Sequence, residues 1–154
     1  MDVQIAVFPE TRVAAIEHFG SPALEHDTVL KLIAWKLEQR LLDPLKYRSY
    51  GVHHTDPHTT HASAHHVDFC LSIDQKVGPN SADILNKVIP RNRCALARDV
   101  GSRYNNKAAA YLYDKWLPQS GEVRGTFPIF FHYVNVGPSV REVDMITDVH
   151  LPLM

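Results

Sequence analysis

Two stretches of the sequence resemble each other and decide the fold. Residues 11–21 read TRVAAIEHFGS, and residues 92–102 read NRCALARDVGS. A shift of 81 positions superimposes identical residues in and beyond these stretches: Arg12 on Arg93, Ala14 on Ala95, Gly20 on Gly101, Ser21 on Ser102, Trp35 on Trp116 and Pro57 on Pro138. Further along, HVDFCLSI at residues 66–73 resembles EVDMITDV at residues 142–149, at a slightly shorter offset. Solenoid repeats are shorter, at roughly 20–50 residues, so we predict one duplicated supersecondary unit.

Each repeat has the pattern of a βαββ unit. Residues 12–19 alternate in part, contain β-branched and aromatic residues, and end at a glycine, which is typical of a strand. Ser21 and Pro22 form a typical helix start, with a hydroxyl cap and a proline in the first turn. Apolar residues then recur every four positions: Val29, Ile33, Leu37 and Leu41, with Leu30 and Ala34 beside them. This spacing predicts an amphipathic helix to about Leu42, ended by Asp43-Pro44.

The remaining predicted elements follow the same order in both repeats. The first repeat, about residues 3–74, is expected to contain strands at residues 12–19, 48–54 and 66–73, and a leading strand at 2–8 extends it. The second repeat, residues 83–153, is expected to contain strands at residues 83–89, 93–100, 127–135 and 142–150, with a helix at residues 105–117 closed by Pro118 and Ser120-Gly121. We therefore predict a single α+β domain over residues 1–154. In it, duplicated βαββ units form a pseudo-twofold antiparallel sheet with two helices on one face and a ligand groove between the halves.

Composition narrows the classes of protein to consider. Of the 154 residues, 45% are hydrophobic and 21% are charged, which is typical of a globular domain. The net charge of −1 argues against direct binding of nucleic acid. We find no apolar stretch near the roughly 20 residues needed to span a membrane and no secretory signal. Cys70 and Cys94, without a CxxC motif, indicate two reduced thiols in a cytoplasmic protein, with one disulfide as the alternative.

The order of several motifs resembles that of a known family. The motifs are RVAAIEHFG at residues 12–20, YGVHHTDP at 50–57, HHVDFCLSI at 65–73, YLYDKWLPQSG at 111–121 and FPIFFHYVN at 127–135. In this order they resemble the GyrI-like small-molecule-binding family, also called the AraC-type effector-binding domain. The resemblance extends from about Val3 to Leu153. The family includes a DNA gyrase inhibitor and the drug-sensing parts of multidrug-responsive regulators.

The resemblance implies a duplicated βαββ fold whose groove takes aromatic or amphipathic molecules, often cationic. In many members, a glutamate on the penultimate strand, in a context like P-x-F-E-x-Y, supplies a negative charge. This chain reads Pro128-Ile129-Phe130-Phe131-His132-Tyr133, so Phe131 stands at the glutamate position. A phenyl ring offers a cation only about 0.5–2 kcal/mol of cation–π attraction. We therefore expect a neutral aromatic ligand, and we expect no hydrolase activity of the kind that the glutamate supports in some members.

Aromatic residues, four of them at positions that match between the repeats, are the candidate ligand-binding residues. Alternation along the strand places Phe131 and Tyr133 on one side, and the 81-residue shift relates Tyr50 to Phe131. The candidates, each with packing in the core as the alternative, are Trp35, Tyr50, Tyr113, Trp116, Phe131 and Tyr133.

Histidine is concentrated in one segment. Of ten histidines, six lie in HHTDPHTTHASAHH at residues 53–66. A short helix from Asp56-Pro57 would place His58, His61 and His65 on one face, as a weak candidate metal site. The alternatives are a solvated loop that binds zinc or nickel adventitiously and a pH-sensing loop. We therefore assign neither a metal nor a cofactor.

Two further groups are weaker candidates. Ser102 and Arg103 near the second helix start suit an anionic ligand group, with an N-cap and a solvated arginine as the alternative. Asp68 and Asp144 occupy similar strand positions and form a candidate acid–base pair. The alternative is that both satisfy loop amides.

The prediction as a whole is a non-enzymatic protein that binds a small aromatic or amphipathic molecule, as a drug-sensing or sequestering protein. Two alternatives are a module that binds DNA gyrase or a regulator protein, and a small hydrolase of reactive natural products. We expect no membrane partner.

Overall fold

The computed structural model describes residues 1–56, 59–103 and 105–154. The described residues form eight strands: β1 (Gln4–Phe8), β2 (Thr11–Phe19), β3 (Ser49–His53), β4 (His66–Ser72), β5 (Leu85–Ile89), β6 (Asn92–Val100), β7 (Phe130–Tyr133) and β8 (Ile146–Pro152). The helices are α1 (Glu25–Glu38), α2 (Lys107–Tyr111) and α3 (Leu117–Ser120), with a π-helical turn at Leu112–Trp116. Every described strand pair is antiparallel, so the predicted α+β class is confirmed.

The chain divides into two compact units. Unit A comprises Thr11–Ile89, and unit B comprises Met1–Glu10 with Pro90–Met154. The strand order is β3-β4-β2-β5 in unit A and β1-β6-β8-β7 in unit B. Strand β5 of unit A therefore comes from the second predicted repeat, and strand β1 of unit B comes from the first predicted repeat.

The two units have matching elements at the shift of 81 residues. β1 pairs with β6 so that Gln4 lies opposite Leu96, and β5 pairs with β2 so that Leu85 lies opposite Ala15. A shift of 81 residues moves Gln4 to Leu85 and Ala15 to Leu96, so the two strand pairs have the same register. The common ancestry of the repeats, and their boundaries at residues 3–74 and 83–153, stay predictions from the sequence.

The core of unit A lies between α1 and one face of its strands. Leu32 and Trp35 of α1 pack with residues that alternate along β2 and β4: Ala14, Ile16, Val67, Phe69 and Leu71. The predicted buried stripe is wrong in part, because Ile33 and Leu37 are 43% and 57% exposed. The indole of Trp35 removes more apolar surface from water than either of these side chains, so its burial sets the orientation of α1. The helix also ends at Glu38, earlier than predicted.

The core of unit B has the same plan with a less regular helix. Ala108 and Leu112 pack with Ala95, Ala97, Val149 and Leu151. The helix continues through Pro118 to Ser120, so the prediction that Pro118 ends it is wrong. Proline lacks the N–H that an α-helix needs, and the π-helical turn directly before α3 accommodates this gap. Gly121, at φ +75°, ends the helix as predicted.

The last strand pair is shifted relative to the prediction. β7 is shorter than residues 127–135, and β8 runs four residues later than the predicted start, because Glu142–Asp144 forms a 3-10 turn. In unit A, Ala14 lies opposite Leu71; in unit B, Ala95 lies opposite Leu151. The offset of β8 from β4 is therefore 80 positions, one fewer than the 81 that relates β1 to β5 and β2 to β6.

Both cysteines are buried free thiols. Burial raises the pKa of Cys94 to about 11 and that of Cys70 still further, so both stay protonated near neutral pH. Among the described helices, none combines the length and apolar character needed to cross a membrane.

Candidate functional site

Three of the aromatic candidates pack against the same core cluster in unit B. Tyr113, Trp116 and Phe131 are half-buried and pack against the core beneath the helix. Phe131 lies opposite the buried Val149, which fixes the helix side of β7. Tyr133, two residues further along β7, lies on the same side of the strand and is also half-buried. A role for Phe131 and Tyr133 in ligand binding stays a prediction.

Two arginines lie over the rings of this aromatic group. The Arg103 guanidinium lies 5.1 Å from the ring centre of Tyr133, and that of Arg124 lies 4.8 Å from the ring centre of Tyr113. Arg103 also donates to the backbone oxygens of Asn135, at 2.8 Å, and Ile146, at 3.1 Å. Burial lowers the pKa of Arg103, although Tyr133 partly opposes this effect. A fixed positive charge therefore accompanies the aromatic rings.

At the start of the second helix, the predicted N-cap by Ser102 and the solvated arginine are wrong, whereas the anionic-ligand group suggested there stays a prediction. Asn106, not Ser102, caps α2, because its Oδ1 accepts a hydrogen bond from the Ala109 backbone N at 2.9 Å. Arg103 is half-buried and bound to backbone oxygens, so it is not a solvated side chain.

The two candidates in unit A lie on opposite sides of its strands. Trp35 belongs to the core on the α1 side. Tyr50 lies opposite Cys70, on the side away from α1, and its hydroxyl accepts a hydrogen bond from Arg48 Nε at 2.8 Å. Trp35 and Tyr50 are 8% and 2% exposed. Both therefore have the burial of core residues.

The predicted relation of Tyr50 to Phe131 is wrong. Tyr50 lies opposite Cys70, and Phe130 lies opposite His150. Both members of the second pair are 80 positions beyond those of the first, which is the offset found for β8. A slip of one residue moves every side chain to the other face of a strand. Phe130 is therefore the counterpart of Tyr50, and it stacks on His150 with ring centres 4.7 Å apart. The offset between HVDFCLSI and EVDMITDV, which already departs from 81, was the available signal.

The histidine-rich segment does not form the predicted metal-binding face among its described residues. His61 is exposed and pairs with Ser63, with Nδ1 at 2.7 Å from the hydroxyl. His65 is buried, with Nε2 at 3.1 Å from Glu25 Oε1. A 3-10 turn at Ala62–Ala64 separates the two. His58 lies outside the described residues.

A different group of ligand-type side chains meets on unit A, on the side away from α1. His54 Nε2 lies 2.8 Å from Asp68 Oδ2, and His66 Nε2 lies 3.0 Å from Asp68 Oδ1. We call these three residues the histidine–aspartate cluster. Lys87 Nζ lies 2.9 Å from the same Asp68 Oδ2 and 3.1 Å from Glu17 Oε2. The i, i+2 spacing of His66 and Asp68 on a predicted strand was the sequence signal for this cluster.

The carboxylate at the centre of the cluster is stabilised in its charged form. Burial alone would raise the pKa of Asp68, but hydrogen bonds from His54 and Lys87 outweigh that effect and lower the pKa to about 2. Burial, with the neighbouring His54, lowers the pKa of His66, while Asp68 and Glu17 oppose this shift. At neutral pH the cluster therefore holds one charged carboxylate beside a neutral His66.

The predicted pairing of Asp68 with Asp144 is wrong. Asp144 is exposed in the 3-10 turn before β8 and binds Arg141 Nε at 2.8 Å. Asp148 has the strand position of Asp68, since Asp68 lies opposite Glu17 and Asp148 opposite Arg98. The residues proposed as an acid–base pair are thus not equivalent.

Comparison with known proteins identifies the family. The model of the GyrI-like small-molecule-binding domain matches residues 1–154. The chain belongs to the GyrI-like family. It is 35% identical to the probable transcriptional regulator YgiV of Escherichia coli K12 over 99% of this chain and 96% of that protein. It is 25% identical to a DNA gyrase inhibitor of Erwinia billingiae over 99% and 97% of the two chains.

Solved structures show the same fold at low sequence identity. The crystal structure of the EcmrR C-terminal domain is 16% identical to this GyrI-like domain, with a TM-score of 0.76 over 99% of this chain and 97% of the other. In the EcmrR–DNA complex, this chain spans 57% of the EcmrR chain, with a TM-score of 0.77. The resemblance to the GyrI-like family that the sequence motifs suggest is thus confirmed.

Proposed function

We propose that this GyrI-like domain binds a small aromatic molecule that is neutral or anionic, as an effector-binding or sequestering protein. The observation that supports this proposal is the position of Arg103 over Tyr133 and of Arg124 over Tyr113, beside Phe131. Membership of the GyrI-like family supports the binding of a small molecule. The guanidinium groups of Arg103 and Arg124 support a ligand that is neutral or anionic.

Two electrostatic effects favour this charge class over an aromatic cation. The ring faces of Tyr113 and Tyr133 already interact with guanidinium groups, so they offer less attraction to a second cation. Arg103 is held by backbone oxygens of β8 and its preceding loop, so it cannot move away at low cost. Like charges close together at a partly buried site repel each other. The aromatic rings remain available for apolar and edge contacts.

The location of the bound molecule is the finer part of the proposal. Of the candidate residues, Tyr113, Trp116, Phe131 and Tyr133 are half-buried and so leave ring surface for a ligand. Trp35 and Tyr50 offer little accessible surface. We therefore propose the helix side of β7 as the main contact surface. The groove predicted between the repeats stays a prediction.

The charge class can be tested with two ions of the same shape and opposite charge. Tetraphenylborate and tetraphenylphosphonium would be titrated into the full chain at equal concentrations, with neutral triphenylphosphine oxide as the third probe. Thermal stabilisation follows RT ln(1 + [L]/Kd). We expect tetraphenylborate and the neutral probe to raise the melting temperature more than the phosphonium ion does. Equal or greater stabilisation by the phosphonium ion would contradict the proposal.

Arg124 provides a matched variant for this experiment. Its side chain is exposed and lies over Tyr113, so Arg124→Gln removes the positive charge without disturbing the core. We expect the preference for tetraphenylborate over tetraphenylphosphonium to narrow several-fold. Arg12→Gln removes an exposed arginine of unit A and should leave the preference unchanged.

We also propose that the domain is not a hydrolase. This proposal rests on the family resemblance, in which Phe131 stands where other members have a glutamate. A phenyl ring can neither activate water nor stabilise a cationic intermediate as a carboxylate does. Turnover of activated esters by the full chain would contradict it.

Binding of a protein partner is the second candidate function. The similarity to a DNA gyrase inhibitor favours it, at 25% identity over nearly the full length. A supercoiling assay with purified gyrase and the full chain tests this candidate. Inhibition at micromolar concentration would support it, and unchanged supercoiling would count against it.

A further inference from the structure

We propose that His54, His66 and Asp68 bind a divalent first-row transition metal such as Zn²⁺ or Ni²⁺. Three ligand-type atoms, one from each residue, lie within 4.8 Å of one another. Two imidazole nitrogens and a carboxylate oxygen are ligands that Zn²⁺ and Ni²⁺ accept, whereas Mg²⁺ and Ca²⁺ prefer oxygen alone. This site is separate from the aromatic group of unit B and does not depend on the proposed ligand.

The geometry of the cluster suits a metal ion. The rings of His54 and His66 stack at 4.1 Å and 13°, and both Nε2 atoms point at the one carboxylate. Bonds of about 2.0–2.1 Å to a tetrahedral metal place ligand atoms about 3.3 Å apart. The observed nitrogen–oxygen distances of 2.8 and 3.0 Å need to widen by only a few tenths of an ångström.

The strands hold the three ligands in place. His66 and Asp68 are two residues apart on β4 and so lie on the same side. His54 directly follows β3, and its backbone N–H donates to the His66 oxygen at 3.1 Å. The His66 ring also stacks on Phe19, with centres 4.2 Å apart. Ligands held on strands by packing and hydrogen bonds lose little freedom when a metal binds.

The surrounding charges favour a cation and leave a path for it. Glu17 Oε2 lies 3.8 Å from His66 Nε2 and can serve as a fourth ligand. The side chains of His54 and His66 are 30% and 21% exposed, so a hydrated ion can reach both imidazoles. Lys87 is the local cation, bound to both Asp68 and Glu17. A metal ion would compete with the Lys87 ammonium for these carboxylates.

The matching positions of unit B show what the fold itself requires there. Val134 has the place of His54, since its N–H donates to the Ile146 oxygen at 3.0 Å, and Ile146 has the place of His66. Arg98 binds Asp148 through two hydrogen bonds of 2.7 and 3.0 Å. One arginine therefore binds the strand aspartate of unit B, where valine and isoleucine stand in place of the two histidines. The two imidazoles of unit A exceed this structural need.

Zn²⁺ titration of the full chain tests the proposal. Isothermal calorimetry in buffer near pH 7.5 should show one site per chain, and Co²⁺ should give the absorption bands of an ordered site. We expect His66→Gln and Asp68→Asn each to weaken binding by at least about tenfold. His61→Gln, in the same segment but outside the cluster, should leave the affinity unchanged. Weakening by His61→Gln but not by His66→Gln would mean adventitious binding by the loop and overturn the proposal, as would the absence of a stoichiometric site.

Lys87→Met provides a test that loss of folding cannot imitate. Removal of the competing ammonium frees the carboxylates of Asp68 and Glu17, so Zn²⁺ should bind several-fold more tightly. An affinity that stays unchanged or falls would overturn the proposal. Circular dichroism of each variant confirms that the chain is folded under the conditions of the titration.

Discussion

The ammonium group of Lys87 lies 2.9 Å from Asp68 Oδ2, and the carboxylate side chain of Asp68 is only 5% exposed. This ion pair joins β5 to β4 across the intervening β2. Loss of one partner of such a pair leaves the other charge poorly solvated, which is where most of the destabilisation arises. Lys87 retains Glu17 as a second partner at 3.1 Å, which limits the effect of removing Asp68 alone.

Asp68→Asn should therefore destabilise the protein in a way that depends on pH. The pKa of Asp68 is lowered to about 2 in the folded chain, from 3.8. Its charged form therefore stabilises the fold above pH 4, and this stabilisation is lost as the pH falls through 2. We expect a loss of about 1–2 kcal/mol at pH 7, allowing for the solvent near Lys87. Urea unfolding at pH 7, 4 and 3 measures it.

The control for this comparison is Asp74→Asn. Asp74 also pairs with a lysine, Lys46, but both side chains are about half exposed. Pairs exposed to this degree contribute little, so we expect a smaller change at every pH. A difference between wild type and Asp68→Asn that stays constant down to pH 3 would contradict the role assigned to the charge of Asp68.

His150 should contribute to acid sensitivity at a higher pH. Burial lowers its pKa to about 4, while the hydrogen bond to the Asp148 oxygen opposes the shift. The unfolded chain then binds a proton near pH 6.5 that the folded chain does not, so stability falls as the pH drops from 6.5 to 4. His150→Phe keeps a ring over Phe130 and should reduce that fall by up to about 1.4 kcal/mol per pH unit.

Unfolding by urea between pH 7 and 4.5 would measure the two slopes. His26→Gln provides the control, because it removes an exposed histidine outside the core. The pKa of His53 is also lowered to about 4, with burial as the main cause, so part of the slope should persist in His150→Phe. Identical slopes in wild type and His150→Phe would contradict the prediction.

The strands β2 and β6 were predictable from the sequence because their signals are local. Alternation, with a glycine after Phe19 and another after Val100, predicts the bounds of β2 and β6 to within one residue of those observed. The burial of each helix was less predictable. The i, i+4 stripe through Ile33 and Leu37 is a sound helix signal, but the packing of Trp35 against the strands decides which side faces inward.

The candidate sites depended on register, which local patterns do not determine. The count of 81 residues is correct for β1 and β2, but the one-residue change before β7 exchanged Phe130 for Phe131 as the counterpart of Tyr50. The histidine–aspartate cluster also required register, because His54 reaches Asp68 only through the β3–β4 pairing. Histidine content indicated the correct segment, but not the correct members.

The turn at Gly121 should tolerate a side chain poorly. Gly121 ends the second helix at φ +75°, a left-handed conformation that costs other residues about 1 kcal/mol. Gly121→Ala should thus lower the unfolding free energy by about 1 kcal/mol, measured from the urea midpoint. Gly78→Ala is the matched control, because an added Cβ there meets nothing within 4 Å and Gly78 has no positive φ. Equal effects of the two substitutions would contradict the assignment of strain to Gly121.

Phe131→Glu should reverse the charge preference proposed for the ligand. Phe131 packs against the same core cluster as Tyr113 and Trp116, and guanidinium groups already lie over the rings of Tyr113 and Tyr133. A carboxylate there would attract a cation and partly neutralise the arginines, so tetraphenylphosphonium should bind at least about tenfold more tightly and tetraphenylborate more weakly. Glutamine has nearly the same shape as glutamate but carries no charge. Phe131→Gln should therefore weaken the binding of both ions equally, through loss of the ring. If Phe131→Glu and Phe131→Gln change the two affinities equally, then Phe131 does not contact the bound ion. Because the titration uses aromatic ions and no metal, its outcome is independent of the cluster around Asp68.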